Sequence, residues 1–233
     1  MASWAGLTMS RCPVCSRLTD VCEQGACREC AQQLTVRKGG YCTRCGELFA
    51  DDDSPPMLCG ECRTTPTPWE ALHFHSIYTG PLRNLILKYK FSGALGHATL
   101  LGNLAVQAYT RRDGQKPDII VPVPLHKRRL LWRGFNQSAE LSKALGKHTG
   151  APVIHAALQR VRYTRPQTQL DLAQRQSNIK SAFTATRELV EGKHILLVDD
   201  VYTTGATLRE CARTLMQAGT ASINVFVLAR ALR

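Results

Sequence analysis

Apolar residues follow two different patterns along the chain, and the change falls near residue 70. Residues 1–62 form short stretches punctuated by Cys and Gly. Further along, apolar residues at helical spacing predict helices over residues 81–91, 100–109, 137–148 and 208–218. Continuous apolar runs predict buried strands over residues 118–124, 194–201 and 222–229.

Strands that alternate with helices are typical of βαβ units and a parallel sheet. Strands that are apolar throughout fit a sheet with helices on both faces. Residues 63–70 contain Pro66 and Pro68 and predict a stiff, extended linker. We therefore expect an α/β protein with a small Cys-rich domain over residues 1–65 and a parallel-sheet domain over residues 66–233.

The positive charge of the chain is concentrated in one region. The formal net charge is +12, whereas residues 81–180 alone carry 17 Lys or Arg and 4 Asp or Glu. Such a region attracts polyanions or a polyphosphate ligand. No apolar run reaches the roughly 20 residues of a membrane helix. The start of the sequence shows no secretory signal, so we expect a cytoplasmic protein without membrane insertion.

Nine of the ten cysteines lie in the first 62 residues, and eight of them form CxxC pairs. Two CxxC turns supply the four thiolates of a tetrahedral zinc site. Without a secretory signal this spacing indicates metal rather than disulfides. We expect two structural zinc ions, with Cys22 left over. The eight expected ligands are Cys12, Cys15, Cys27, Cys30, Cys42, Cys45, Cys59 and Cys62.

Three alternatives to this reading of the cysteines stay open. The thiols could be reduced and without a ligand, or they could hold an iron–sulfur cluster. The CxxC turns could also pair in crossed rather than sequential order. For sequential zinc ribbons we expect chelation to unfold residues 1–62 and to leave the sheet domain folded, because structural zinc provides the folding free energy of small ribbons.

Residues 195–207, ILLVDDVYTTGAT, are the strongest functional signal in the chain. A buried strand delivers Asp199 and Asp200 to its carboxyl end, where open α/β sheets bind ligands. The following hydroxyl-rich loop opens a helix, and backbone N–H groups at such a position favour an anion. Two acids beside an anion site are explained if they face sugar hydroxyls or a metal. The alternative without a ligand is a strand that ends in exposed acids, followed by a helix with an N-capping Thr.

The VDDVYTTGAT segment resembles the signature of type I phosphoribosyltransferases for 5-phosphoribosyl-1-pyrophosphate (PRPP). The resemblance implies that Asp199 and Asp200, the expected catalytic residues, hold the ribose hydroxyls. It also implies Mg²⁺ bound together with PRPP. The loop implied to hold the 5′-phosphate is Thr203, Thr204, Gly205, Ala206 and Thr207.

Two further segments resemble the ComF-type, late-competence proteins. They are VPVP at 121–124 with RGFNQ at 133–137, and the spaced Arg, Gln and Asn residues of 160–183. The VPVP strand should lead into a loop near the pyrophosphate, where Lys127, Arg128, Arg129 and Arg133 supply positive charge. Of these, Arg133 is favoured for function because it belongs to the RGFNQ unit that resembles the family. A mobile hood over the site would place Arg162, Gln167 and Arg175 inward. Each of these side chains could instead be an ordinary solvated surface residue.

The resemblance covers nearly the whole chain. It implies a type I phosphoribosyltransferase-like fold with a double zinc ribbon, and a role in handling incoming single-stranded DNA, with DNA-uptake or recombination proteins as possible partners. One hypothesis is therefore an enzyme that transfers a phosphoribosyl group from PRPP. The other is a nucleic-acid-binding or regulatory module that retains a PRPP-sensing pocket. The salt dependence of DNA binding distinguishes these hypotheses, because a nucleic-acid-binding module that contacts several phosphates should lose affinity steeply as salt rises.

Overall fold

The computed structural model describes residues 10–19, 25–92, 95–111, 116–162 and 179–232. The helices are α1 (Arg28–Gln33), α2 (Gly60–Thr64), α3 (Gly80–Ser92), α4 (Leu95–Thr110), α5 (Lys127–Arg133), α6 (Gln137–Thr149), α7 (Arg187–Val190) and α8 (Ala206–Gln217). The strands are β1 (Ser10–Arg11), β2 (Leu18–Thr19), β3 (Leu72–Ile77), β4 (Ile119–Pro122), β5 (Leu158–Arg160), β6 (Phe183–Ala185), β7 (His194–Tyr202) and β8 (Ser222–Arg230).

A parallel sheet of order β3-β8-β7-β4 forms the centre of the molecule. Side chains of successive residues in a strand point to opposite faces. Accordingly Ile195 and Leu197 of β7 join one apolar core, and Leu196 and Val198 join the other. Helix α8 covers the first face, whereas α3, α4 and α6 cover the second. The predicted α/β fold with helices on both faces is confirmed.

The Cys-rich part contributes side chains to both of these cores. Tyr41 packs edge-on against Phe74 of β3, with 5.0 Å between ring centroids. Cys27, Cys30 and Leu34 belong to the core formed with α3 and α4. The ribbons and the sheet thus share buried apolar surface, and this contact argues against the expectation that the sheet domain is unaffected by loss of the metal. The boundary at residues 65 and 66 stays a prediction.

The segment expected to be a stiff linker is instead attached to the sheet at its carboxyl end. Glu70 N–H donates to Ile223 O at 2.9 Å, and Val225 N–H donates to Ala71 O at 2.8 Å. The Trp69 side chain is buried and packs edge-on against Tyr202. Prolines restrict the backbone but do not prevent docking, and burial of an indole outweighs the linker-like composition.

The basic stretch after β4 is a helix rather than the expected loop. The His126 ring accepts a hydrogen bond from the backbone N–H of Arg128 at 3.2 Å, and Gly134 ends α5 with a φ of 80°. Local capping at both ends forms a helix that no apolar periodicity marks. Among the described residues no helix has both the length and the apolar composition that a membrane crossing requires.

Candidate functional site

The eight CxxC thiols form two groups of four. Cys12 and Cys15 lie with Cys27 and Cys30, and the other four cysteines of the CxxC pairs form the second group. Within each group the sulfur atoms lie within 4.8 Å of one another. We call these groups the first cluster and the second cluster. The structure thus pairs the CxxC turns in sequential order, as expected, and Cys22 lies outside the described residues.

The spacing of the sulfur atoms fits tetrahedral zinc. Zn–S bonds of about 2.3 Å give a tetrahedron with edges of about 3.8 Å. The Cys15–Cys27 sulfur distance is 3.8 Å, and the Cys45–Cys59 distance is 3.7 Å. Four sulfur ligands leave no position for a reactive water, which is typical of a structural site. Each cluster therefore has the donor set to hold one zinc ion.

The thiols of each cluster differ in acidity. Burial raises the pKa of Cys12, but backbone N–H groups led by that of Cys27 outweigh it and lower the pKa to about 6. The same balance, led by the Cys59 N–H, lowers the pKa of Cys42 to about 7. Burial raises the pKa of Cys45 to about 12. Neighbouring thiolates repel one another, so a bound cation is needed to ionise all four.

Asp199 and Asp200 lie at the carboxyl end of the central strand β7. One Asp199 oxygen accepts hydrogen bonds from the Ser138 hydroxyl and from the Asp200 N–H, each at 2.9 Å. Burial, followed by the charge of Asp200, raises the pKa of Asp199 to about 7. Near neutral pH, protonated and ionised forms of this carboxyl are both populated.

Asp200 forms an ion pair with Lys90, with 2.8 Å between Oδ2 and Nζ. Both side chains are largely buried, at 15% and 20% exposure. Burial lowers the pKa of Lys90, but the Asp200 carboxylate more than offsets this effect and the net shift is upward. Lys90 therefore remains charged and partly neutralises the acid pair.

The loop that follows the acids turns at Gly205 into helix α8. Gly205 has a φ of +74°, and a Cβ added there would lie 2.4 Å from the hydroxyl of Tyr202. Both the left-handed backbone and the close approach therefore require glycine. The N–H groups of the first helical turn have no acceptor within the helix, and with the helix dipole they favour an anion.

The side chains of this loop are graded from exposed to buried. Thr203 is exposed, and Thr204 and Thr207 are half-buried. The Arg209 guanidinium donates to the Thr204 carbonyl at 2.6 Å, which fixes a positive charge beside the loop. Ala206 is buried under the first turn of α8. The structure thus brings the five loop residues next to the acid pair.

Arg133 lies at the last turn of α5 and is half-buried. Its guanidinium donates to the Gln137 side chain at 2.9 Å. Burial lowers its pKa, and the charge of Asp200 acts in the opposite direction. Since β4 pairs with β7 at Pro122 and Val198, the segment that follows β4 adjoins the acids. The structure therefore places Arg133 within the electrostatic reach of Asp200.

The hood residues are described in part. Arg162 is exposed, and its guanidinium donates to the Lys180 carbonyl. Strands β5 and β6 pair antiparallel, so the chain on either side of residues 163–178 meets at their base. Gln167 and Arg175 lie outside the described residues. An inward orientation of the hood residues stays a prediction.

The structure adds Ser138 and Lys90 to the residues expected around the acids. Lys90 lies four and eight residues after Ile86 and Leu82, so it shares their buried helix face. Ser138 lies three residues before Leu141 and seven before Leu145, on the apolar face of α6. A polar residue on a buried stripe needs a hydrogen-bond partner. That signal was present in the sequence for both residues.

Comparison with known proteins identifies the class. The family model described as phosphoribosyl transferase domain matches residues 97–233. These residues include β4, β7, β8 and the loop at 203–207, and they are more than half of the chain. The chain therefore belongs to the phosphoribosyl transferase domain family.

Individual relatives match over most of their length. DNA utilization protein YhgH of Salmonella typhimurium is 37% identical over 225 residues, which cover 95% of this chain and 97% of that protein. Competence protein F of Haemophilus influenzae is 31% identical over 232 residues, with coverage of 95% and 97%. Competence protein ComFC of Bacillus subtilis is 27% identical over 215 residues, with coverage of 89% and 85%. The predicted resemblance to ComF-type proteins is confirmed.

Proposed function

We propose that this protein binds PRPP at the carboxyl end of its central sheet and acts in the handling of single-stranded DNA. The observation that carries the proposal is the partly buried pair Asp199 and Asp200, followed directly by a loop that turns at Gly205 into a helix N-terminus. Carboxylates beside an anion site match a ligand that carries sugar hydroxyls next to a phosphate.

Each group of the site has a role toward this ligand. Asp199 and Asp200 accept hydrogen bonds from the ribose hydroxyls, and residues 203–207 bind the 5′-phosphate. Arg133 lies on the pyrophosphate side and stabilises negative charge on the departing group. Lys90 places a positive charge against Asp200 in the free protein. These groups position the ligand and stabilise charge, which is the protein's main contribution to such a transfer.

Mg²⁺ fits the same site through the chemistry of its donors. Carboxylate and phosphate oxygens are the ligands that Mg²⁺ prefers, and the acid pair supplies carboxylates at the edge where PRPP would lie. The ion would neutralise charge on the pyrophosphate as it leaves. The two zinc ions, in contrast, would serve structure alone.

Calorimetry with PRPP and Mg²⁺ on the zinc-loaded protein tests the proposal. The double variant Asp199→Asn/Asp200→Asn loses charge-assisted hydrogen bonds, which contribute about 1.5–3 kcal/mol each. Its affinity should fall at least about tenfold. Asp118→Asn, which removes a carboxylate at the opposite end of the sheet, serves as the control. Unchanged affinity in the double variant would exclude the ribose assignment.

The surface of α5 favours a nucleic-acid contact. None of its residues is buried, and it carries Lys127, Arg128 and Arg129 without an acid. Trp132 is 72% exposed. Cations track a phosphate backbone, and an exposed indole stacks on bases of a single strand. The names of the relatives, which refer to DNA utilization and to competence, agree with this interpretation.

Charge reversal at Arg128→Glu/Arg129→Glu should weaken binding of single-stranded DNA equally for all sequences, because the contacts are to the backbone. The affinity of the wild type should fall steeply with salt. Lys193→Glu/Arg213→Glu makes the same charge change at exposed residues outside 81–180 and should retain most of the affinity. Equal loss in both double variants would show that net charge, rather than α5, governs binding.

The alternative function is a module that binds nucleic acid and senses PRPP without chemistry. The exposed basic surface of α5 favours it, because that surface needs no reaction to act. Release of pyrophosphate from PRPP distinguishes the two functions. Binding of PRPP without release, with and without single-stranded DNA, would support the sensor.

A further inference from the structure

Arg230 lies between the second cluster and the loop proposed to bind the phosphate. It ends strand β8, and its side chain is only 2% exposed. Nε donates to the Cys45 carbonyl at 3.2 Å, and Nη1 donates to the Thr203 carbonyl at 3.3 Å. Nη2 lies 3.2 Å from a carboxylate oxygen of Glu47. One guanidinium therefore contacts both a cluster turn and the phosphate loop.

A buried guanidinium indicates a specific role in positioning its partners. Burial of a charge is unfavourable unless it is paired and hydrogen-bonded. Arginine presents several donors in a rigid, planar fork, so it can hold several acceptors in one fixed geometry. Here the acceptors are the Cys45 carbonyl and the Glu47 carboxylate beside the second cluster, the Thr203 carbonyl directly after β7, and the carbonyl of the adjacent Ala231. A side chain that only filled this space would be apolar.

The turn between Cys42 and Cys45 is fixed by three successive carbonyls. The Thr43 carbonyl accepts from the Leu72 N–H at 2.8 Å, and the Arg44 carbonyl accepts from the Trp69 indole at 2.6 Å. Cys45 is the third, through Arg230. A Cβ on Gly46 would lie 2.9 Å from Leu72 and 3.3 Å from Arg230, so the turn has no space to slide.

Tyr202 continues this contact into the loop. The Arg230 guanidinium carbon lies 4.6 Å from the centre of the Tyr202 ring, and the Trp69 ring packs on it edge-on at 6.3 Å. The backbone of Gly205 rests against the Tyr202 hydroxyl. Arg230 thus connects the second cluster to the loop at residues 203–207 in two ways. One is its hydrogen bond to the Thr203 carbonyl, and the other is the packing of Arg230 on Tyr202 and of Tyr202 on Gly205.

We propose that Arg230 is a positioning residue that couples metal loading of the second cluster to the geometry of the loop at residues 203–207. This inference rests on the proposed binding of a 5′-phosphate by that loop. A metal ion fixes the turn at Cys45, and Arg230 transmits that constraint to the Thr203 carbonyl and to Tyr202. Coupling between two sites is reciprocal, so a ligand in the loop also changes the environment of the metal.

The first cluster provides an internal comparison. Its turn between Cys12 and Cys15 contacts α3 and α4 instead. His97 Nε2 lies 3.1 Å from the Pro13 carbonyl, and Lys88 donates to the Val14 carbonyl at 3.4 Å. We therefore expect the first cluster to respond less than the second to a ligand in the loop.

Cadmium-113 NMR of the fully cadmium-loaded protein tests the coupling without measuring activity. Each cluster should give one resonance, and Cys15→Ser assigns the first cluster because it removes an exposed ligand thiol of that cluster. Ribose 5-phosphate, which carries the 5′-phosphate without a chelating pyrophosphate, is the probe. Its addition should shift the resonance of the second cluster more than that of the first, and the shift should saturate together with calorimetric binding.

Variants of the contact itself complete the test. In Arg230→Lys the ligand-induced shift should vanish, and binding of ribose 5-phosphate should weaken about 5-fold or more. Glu47→Gln is the second test variant, and it serves if Arg230→Lys does not fold. It removes a surface partner of Arg230 without changing the core and should diminish the shift. Glu29→Gln is the control, because the Glu29 carboxylate pairs with Arg17 beside the first cluster. This substitution should leave the shift unchanged.

The possible failures are distinguishable. If calorimetry detects no binding of ribose 5-phosphate to the wild type, the proposed function fails and the coupling fails with it. If the ligand binds and the second resonance does not move, or moves fully in both Arg230→Lys and Glu47→Gln, the coupling alone is wrong.

Discussion

Asp199 binds its proton more tightly in the folded protein than in the unfolded chain. Burial and the neighbouring Asp200 raise its pKa from 3.8 to about 7. A carboxyl with a raised pKa makes folding less favourable as the pH rises through the interval between the two values. The Asp199 carboxyl therefore destabilises the fold at neutral pH.

Substitution of Asp199 by Asn should remove this pH dependence. Relative to the wild type, Asp199→Asn should gain free energy of unfolding as the pH rises from about 5.5 to about 7.5. Urea unfolding of both proteins at both pH values, with zinc in excess, measures the difference. A difference that stays constant with pH would show that the Asp199 carboxyl titrates normally.

Lys90 should matter for stability and Lys88 should not. Lys90→Gln leaves the partly buried acids without their ammonium partner, and a loss of about 1–3 kcal/mol of unfolding free energy is expected. Lys88→Gln changes the same charge on the exposed face of the same helix and removes only an exposed hydrogen bond to the Val14 carbonyl, so it should cost little. Chemical denaturation of the two variants is the direct comparison, and equal effects would contradict a specific role for the Lys90–Asp200 pair.

Among the elements, the loop at residues 203–207, which is proposed to bind the 5′-phosphate, depends on where helix α8 begins. The helix starts at Ala206, directly after Gly205. Apolar spacing predicted a later start, at residue 208, because Ala206 and Thr207 carry no periodic signal. The left-handed glycine against Tyr202 sets the actual first turn and hence the direction of its N–H groups.

Gly205→Ala should therefore impair both folding and ligand binding. An alanine at this position would have to adopt the left-handed backbone conformation, which costs about 1–2 kcal/mol. Its methyl group would also collide with Tyr202. Gly192→Ala is a matched control, because Gly192 has a φ of +67° and no atom within 4 Å of an added Cβ. Thermal melts and PRPP calorimetry on both variants separate the backbone cost from the collision. Similar melting temperatures and PRPP affinities for the two variants would show that the Tyr202 side chain moves to accommodate the methyl group.

At the scale of the whole molecule, the Cys-rich part and the sheet share their cores. Leu34 and Cys30 pack with α3 and α4, and Tyr41 packs against β3. Buried apolar surface stabilises by about 25 cal/mol per Å². Loss of the metal would therefore withdraw stability from the sheet domain as well as from the ribbons.

We expect two zinc ions per chain and a common loss of stability when they are removed. Metal analysis of anaerobically purified protein measures the first, and one ion or none would contradict it. Chelation should lower the denaturation midpoint of the whole chain, and far-ultraviolet circular dichroism measures this midpoint. A sheet domain that unfolds at an unchanged midpoint after chelation would show that the shared cores contribute little.

Local patterns in the sequence predicted those elements and chemical groups that a short segment encodes. Continuous apolar runs marked β7 and β8 because both faces of these strands are covered. The CxxC turns predicted the clusters because each turn already places two thiols side by side. Asp199, Asp200 and the loop to Thr207 are contiguous, so one segment specified their order.

Contacts between residues that are distant in the chain follow from the tertiary structure and not from local patterns. Lys90 meets Asp200, and Ser138 meets Asp199, because α3 and α6 pack on the same face of the sheet. Arg230 reaches Cys45, 185 positions away in sequence, because β8 ends beside the second cluster. No local pattern records such a contact, since the hydrogen-bond partner of a buried polar side chain is chosen by packing and not by spacing.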